Sequence, residues 1–108
     1  QGMAIDYAGH CALPVAQARR IADAARRAHP VWFVERFRLT DPRALARFDA
    51  EIAREFGIEA QSRFTLFVRD SGMLDGLEEA LDYLYDVYGE DQLVLTWGLD
   101  SIRPRRPR

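Results

Sequence analysis

Residues 62–70 read Ser62-Arg63-Phe64-Thr65-Leu66-Phe67-Val68-Arg69-Asp70, and their alternation decides how the rest of the chain can be assembled. Phe64, Leu66 and Val68 face one way and Thr65, Phe67 and Arg69 the other, which is the period of a strand with two unlike faces. Central parallel strands covered on both sides read instead as continuous apolar runs. The stretch therefore predicts one well-covered sheet face and one partly open face, or a mixed sheet with an antiparallel edge.

Working outward, the preceding segment Thr40-Asp41-Pro42 is a helix start, since Thr or Asp can cap free N–H groups and proline is tolerated in a first turn. A helix is predicted from about Pro42 to Phe56, with Leu45, Phe48, Ile52 and Phe56 on its apolar stripe and Gly57 closing it. Before it, Val31 to Leu39 is rich in aromatic and β-branched residues, with Phe33, Phe37 and Leu39 opposite Arg36 and Arg38, and reads as a strand that His29-Pro30 separates from an earlier helix. That earlier helix opens with Pro14 at its first position and runs to about Ala28 on a stripe of Val15, Ala18, Ile21, Ala22 and Ala25. Ala4 to Leu13 reads as a first strand stopped by Pro14. After Asp70, a helix from about Gly72 to Tyr88 carries Leu74, Leu77, Leu81, Leu84 and Tyr88 at steps of three and four, and Gly89 ends it. Gln92 to Leu99 is the last strand. The order is βαβαβαβ, which predicts an α/β domain with a four-stranded, mainly parallel or mixed sheet, three helices and right-handed crossovers.

A chain of 108 residues, 48% of them hydrophobic, has enough apolar surface for one core and no room for a second. One domain is expected over residues 3–102. Gln1 and Gly2 precede a methionine and read as the remnant of a cleavable tag, with Met3 the natural start and no signal peptide. Residues 103–108 are expected to be a flexible basic tail. No apolar run approaches the roughly 20 residues of a membrane span. The single cysteine, Cys11, can form no internal disulfide, which suits a reducing cytoplasm; its neighbour His10 would point to the other side of a strand, so the two read as ordinary packing or surface residues and not as a catalytic pair.

Catalytic signatures are absent from the pattern. Neither G-x-G-x-x-G nor a phosphate-binding P-loop occurs, and no cofactor is expected. Glu35, Glu51, Glu55 and Glu59 fall where solvated charge is the ordinary explanation, and a metal set of Asp82, Asp86 and Glu90 is sterically conceivable on a helix but common in acidic helices that bind nothing. The arginines of the closing segment suggest nucleic acid, yet a pI of about 5.7 sets much of the surface against phosphate.

The charge pattern carries the functional reading. All fifteen basic residues are arginine, and the net charge of -2 hides an asymmetry: nine acidic and no basic residues lie between Asp70 and Ile102, followed by four arginines from Arg103 onward. If Leu81, Leu84 and Tyr88 point inward, then Asp75, Glu78, Glu79, Asp82, Tyr85 and Asp86, with Glu90 and Asp91 beyond the helix, form an acidic and aromatic face for a basic protein.

Met3-Ala4-Ile5-Asp6, the segment Glu51-Ile52-Ala53-Arg54-Glu55-Phe56-Gly57-Ile58-Glu59-Ala60 leading into Ser62-Arg63-Phe64, and the strand end Val68-Arg69-Asp70 resemble the immunity proteins of bacterial contact-dependent growth inhibition systems, particularly the Burkholderia type. The resemblance implies a cytoplasmic antidote that does not catalyse but binds the C-terminal toxin domain of a large secreted effector and covers its active site. It further implies that the toxin is a nuclease cutting transfer RNA, and that the antidote is a monomer when free and a heterodimer with the toxin, touching neither nucleic acid nor membrane. Two other classes stay open at this point: a small regulatory module for some other basic protein, and an enzyme using carboxylates on an open sheet face.

Overall fold

The computed structural model describes residues 5–69, 74–98 and 101–108. Ala4, Asp70, Gly72, Leu99 and Asp100, which bear on the expected element ends or on the acidic run, lie outside the described residues. The elements are β1 (Ile5–Cys11), α1 (Val15–Ala28), a π-helical segment (Val31–Arg36), β2 (Phe37–Leu39), β3 (Arg43–Ala44), α2 (Arg47–Glu55), β4 (Ser62–Val68), α3 (Leu77–Tyr88), β5 (Leu93–Trp97) and β6 (Ser101–Arg103).

The sheet corrects the sequence expectation. Among the described residues it has six strands, not four, ordered β2-β4-β1-β5-β6 with β3 also on β4, and every pairing is antiparallel. Of the three crossovers implied by the βαβαβαβ order, the one through α2 is absent, because β2 and β4 on either side of it pair directly and antiparallel, and the other two exist only in split form. β1 and β2 run parallel through α1, and β4 and β5 run parallel through α3, but each pair leaves a gap of one strand. β4 fills the gap between β1 and β2, and β1 fills the gap between β4 and β5. Two interlocked split βαβ units thus make all neighbours antiparallel, and the period-two alternation of residues 62–68 is the trace of that arrangement.

Its apolar row packs on one helical layer. Phe64, Leu66 and Val68 of β4, Cys11 of β1, Phe37 and Leu39 of β2, and Leu93 and Leu95 of β5 join Ala18, Ala22 and Ala25 of α1 and Leu77, Leu81 and Leu84 of α3 in a single core. The alanine stripe of α1 lets it approach closely, and the Tyr88 hydroxyl of α3 donates to the Ala18 carbonyl at 2.8 Å. On the opposite face α2 covers one end only, bringing Asp49 to Arg63 and Phe56 to within 6.2 Å of the His10 ring. Asp49 also pairs with Arg43, which sits directly across from Arg63, so one carboxylate answers two like charges that would otherwise repel across the strands.

Two local expectations fail for identifiable reasons. Residues 31–36 are helical, not extended: Pro30 adopts the helical conformation, and the N–H groups of Trp32 and Phe33 both reach the His29 carbonyl. Aromatic packing overrides strand propensity there, because Trp32 stacks on His29 at 4.5 Å and Phe33 lies 5.7 Å from Tyr83 of α3. α2 begins at Arg47 and not Pro42, since residues 43–44 pair with β4 first. The displaced start leaves Phe48 69% exposed, and Ala53 becomes the buried residue of the helix.

Gly9 has a specific steric role. A Cβ at Gly9 would lie 2.3 Å from the Phe64 ring, which stacks on Tyr88 with centroids 5.2 Å apart. The absence of a side chain on β1 thus lets the ring lie flat and reach α3. Gly9→Ala is expected to destabilise the fold by about 1–3 kcal/mol through overpacking, read as a lower urea midpoint at unchanged slope; an unshifted midpoint would contradict this packing.

Candidate functional site

α3 supplies most of the candidate face, and its sequence explains why. Leu77, Leu81, Leu84 and Tyr88 are buried, which turns Glu78, Glu79 and Asp86 to solvent at the spacing of a helical stripe. Asp75 precedes the helix and Glu90 and Asp91 follow it, all exposed. Gly89, with φ of 100°, makes the turn that carries the chain from α3 toward β5.

Two of the eight candidates are not on the surface. Tyr85 is buried, and its hydroxyl donates to the Arg103 carbonyl at 2.6 Å while accepting the Leu95 N–H at 2.9 Å. It fastens β6 and β5 to α3. Asp82 is buried as well, at 7% exposure. Its Oδ1 accepts from Arg103 Nη1 at 2.7 Å and from the Arg106 backbone N–H at 3.1 Å, and its Oδ2 accepts from Arg106 Nε at 2.7 Å.

The acid on the face is not unpaired, which corrects the reading of an uncompensated run. Arg103 also bonds Glu78, with Nε to Oε1 at 3.1 Å. Arg105 holds Asp86 with two parallel bonds of 2.9 and 2.8 Å, a bidentate fork, and lies 3.7 Å from Glu90. Arg108 reaches Asp86 at 2.8 Å and Glu90 at 2.6 Å, and Arg106 comes within 4.0 Å of Glu79. The closing segment, expected as a flexible tail, lies along α3 and supplies the cations that the last turn of the helix lacks. Asp82, Asp86 and Glu90, weighed above as metal ligands, hold guanidinium groups instead. Among the described residues, Asp75 and Asp91 take part in no ion pair.

Arg103, Arg105, Arg106 and Arg108 were not among the residues expected on this face, although they are the next basic residues after Arg69 and so the available answer to the acids between. Trp32 and Tyr83 were not expected there either. Their rings, 6.1 Å apart, line a groove of about 610 Å³ together with Glu79, Asp86, Arg106 and Pro107.

Burial alone would raise the Asp82 carboxyl, but hydrogen bonds from Arg103 and Arg106 outweigh it and hold the group at about 2, below its ordinary 3.8. The side-chain hydrogen bond from Arg105 lowers Asp86 in the same sense. Both carboxyls bind a proton more weakly in the folded chain than in the unfolded one. The contribution of Asp82 to stability is therefore complete above the ordinary value and is lost as pH falls from 3.8 toward about 2, and that of Asp86 is lost in the same direction. Thermal melts are expected to drop most steeply in that window, and Asp82→Asn is expected to flatten the drop while costing about 3 kcal/mol at neutral pH. A variant profile that merely parallels the parent's would contradict the assignment.

The sequence and fold can be placed among known proteins. The fold matches a chain of the solved "CdiA-CT/CdiI toxin and immunity complex from Burkholderia pseudomallei" with a TM-score of 0.85 at 20% identity, covering 96% of this chain and 99% of that chain. No curated protein sequence matches. Residues 3–101 match the family model described as "CDI System Immunity Component". The chain belongs to the CDI system immunity component family.

Proposed function

We propose that this protein is the antidote to a contact-dependent growth inhibition toxin: it binds the toxin domain of a large secreted effector and blocks the active site without catalysing a reaction. The observation that carries the reading is the family match over residues 3–101, and the fold shared with a chain of a toxin and immunity complex supports it. The protein acts in the cytoplasm of the producing cell, as a monomer that pairs one to one with the toxin. No described helix is long and apolar enough to cross a membrane.

The toxin in this proposal is a nuclease that cuts transfer RNA. A nuclease carries positive surface to hold phosphate, and an acidic inhibitor meets the same surface. The exposed carboxylates Asp75, Glu78, Glu79, Asp86, Glu90 and Asp91 make the contact, while buried Asp82 and Tyr85 hold the face in place.

Asp75 and Glu79 are the most suitable to test, because neither is buried and their reversal spares the buried pairs. Asp75→Arg with Glu79→Arg is expected to slow association with the toxin domain encoded beside this chain about tenfold and to weaken its salt dependence, with the fold retained. Unchanged association would move the interface off α3. The broader reading is tested by co-expression: cells making the toxin and this chain survive, and cells that die despite abundant folded chain would refute it.

A further inference from the structure

Glu78, Asp82, Asp86 and Glu90 recur every four residues, so α3 and its following turn present a carboxylate about every 6 Å along one side. The chain leaving β6 follows that row. Arg103 meets Glu78 and Asp82, Arg106 meets Asp82 and Glu79, and Arg105 and Arg108 both meet Asp86 and Glu90. Pro104 and Pro107 restrict φ and favour an extended segment.

The hold is uneven along its length. Arg103 is buried, paired with buried Asp82, and clamped at its carbonyl by Tyr85. Farther on, the side chains of Arg106 and Arg108 are 48% and 64% exposed, and their partners Glu79, Asp86 and Glu90 are 60%, 39% and 45% exposed. Solvent-exposed pairs of this kind are weak and screened by salt. Arg106 bonds buried Asp82 through its Nε and its backbone N–H, so the segment is anchored at Arg103 and Arg106, and the exchangeable contacts are those on the exposed carboxylates, Arg105 and Arg108 on Asp86 and Glu90 above all. Where it lies, Arg106 and Pro107 form one wall of the groove whose other wall is Trp32 and Tyr83. Aromatic rings facing carboxylates suit a guanidinium, which stacks and hydrogen-bonds at once.

We propose that Arg105 and Arg108 are an intramolecular stand-in for the toxin. They occupy Asp86 and Glu90 in the free protein, and an extended, arginine-bearing segment of the toxin's basic surface displaces them and enters the groove beside Trp32 and Tyr83. The proposal rests on the functional reading above and adds a cost to binding: every toxin contact on this face competes with a tethered arginine at high effective concentration. Weak basic partners fail that competition, which gives the face selectivity.

The test uses the full chain carrying Arg105→Ser and Arg108→Ser, with Arg103 and Arg106 kept so that buried Asp82 retains its partners, and folding checked by circular dichroism. The probes are the toxin domain and an amidated peptide, Pro-Arg-Arg-Pro-Arg, followed by Trp32 fluorescence in a Trp97→Phe background. The double variant is expected to bind the toxin about tenfold more tightly than the parent and to bind the peptide, which the parent does not. Arg108→Ser alone, at the more exposed of these arginines, is expected to shift toxin affinity about twofold in the same direction and covers the case in which the double variant misfolds. Unchanged or weaker toxin binding by folded variants overturns the stand-in, the weaker case making the arginines themselves contact residues. A parent chain that does not bind the toxin at all overturns the functional reading, and the stand-in with it.

Discussion

Asp82 and Arg103 meet inside the protein, and much of the geometry at this end of the molecule follows from that pair. Removing two charges from water is expensive, and the cost is offset only when every remaining donor and acceptor is occupied. Here Asp82 accepts from both Arg103 and Arg106, and Arg103 also bonds Glu78 and the Pro104 carbonyl. The pair lies between α3 and β6, so it fixes an edge strand of only three residues that could not be held by its ladder alone. Tyr85, one turn along the helix, ties the same strand and β5 to α3 through its hydroxyl. With β6 fixed, the chain beyond it is directed along the carboxylate row.

This arrangement changes what acidity on a helix means. A stretch with nine carboxylates and no cation invites the reading of a naked electrostatic surface. In the folded chain the carboxylates among the described residues are graded. Asp82 is structural, Glu78 and Asp86 are shared between scaffold and solvent, and Glu79, Glu90, Asp75 and Asp91 face outward. A face built this way is held rigid by its buried members and tuned by its exposed ones.

The sequence made some of this legible and concealed the rest. The strand over 62–68, the first helix and the last helix are legible because each has a strong period of its own, although the last helix begins at Leu77 and not near Gly72, and element order shows which strands flank each helix. Strand direction is not legible there, because order alone does not say whether a crossover skips a position, and only the alternation of Phe64, Leu66 and Val68 pointed to antiparallel neighbours. Residues 31–36 misled because Val, Trp and Phe favour strands locally, while the contacts that make them helical, to His29 and Tyr83, depend partly on a distant element. Tyr85 was misplaced by one helical position: it follows Leu84 and lies a turn from Leu81 and Tyr88, and a stripe wide enough to include it is broader than steps of three and four suggest. The arginines of β6 and beyond were read as a separate basic tail because their partners lie some twenty residues back, a separation that charge runs do not reveal.

The central claim is that α3 and the strand beyond β5 are held together by the buried Asp82–Arg103 pair. A double-mutant cycle measures it directly: Asp82→Ala, Arg103→Ala and both together, each unfolded in urea at neutral pH and low salt. The account predicts a coupling of about 2–3 kcal/mol, with either single change costing nearly as much as the double because each leaves a buried charge unpaired. Additive effects, with a coupling below about 0.5 kcal/mol, would contradict it.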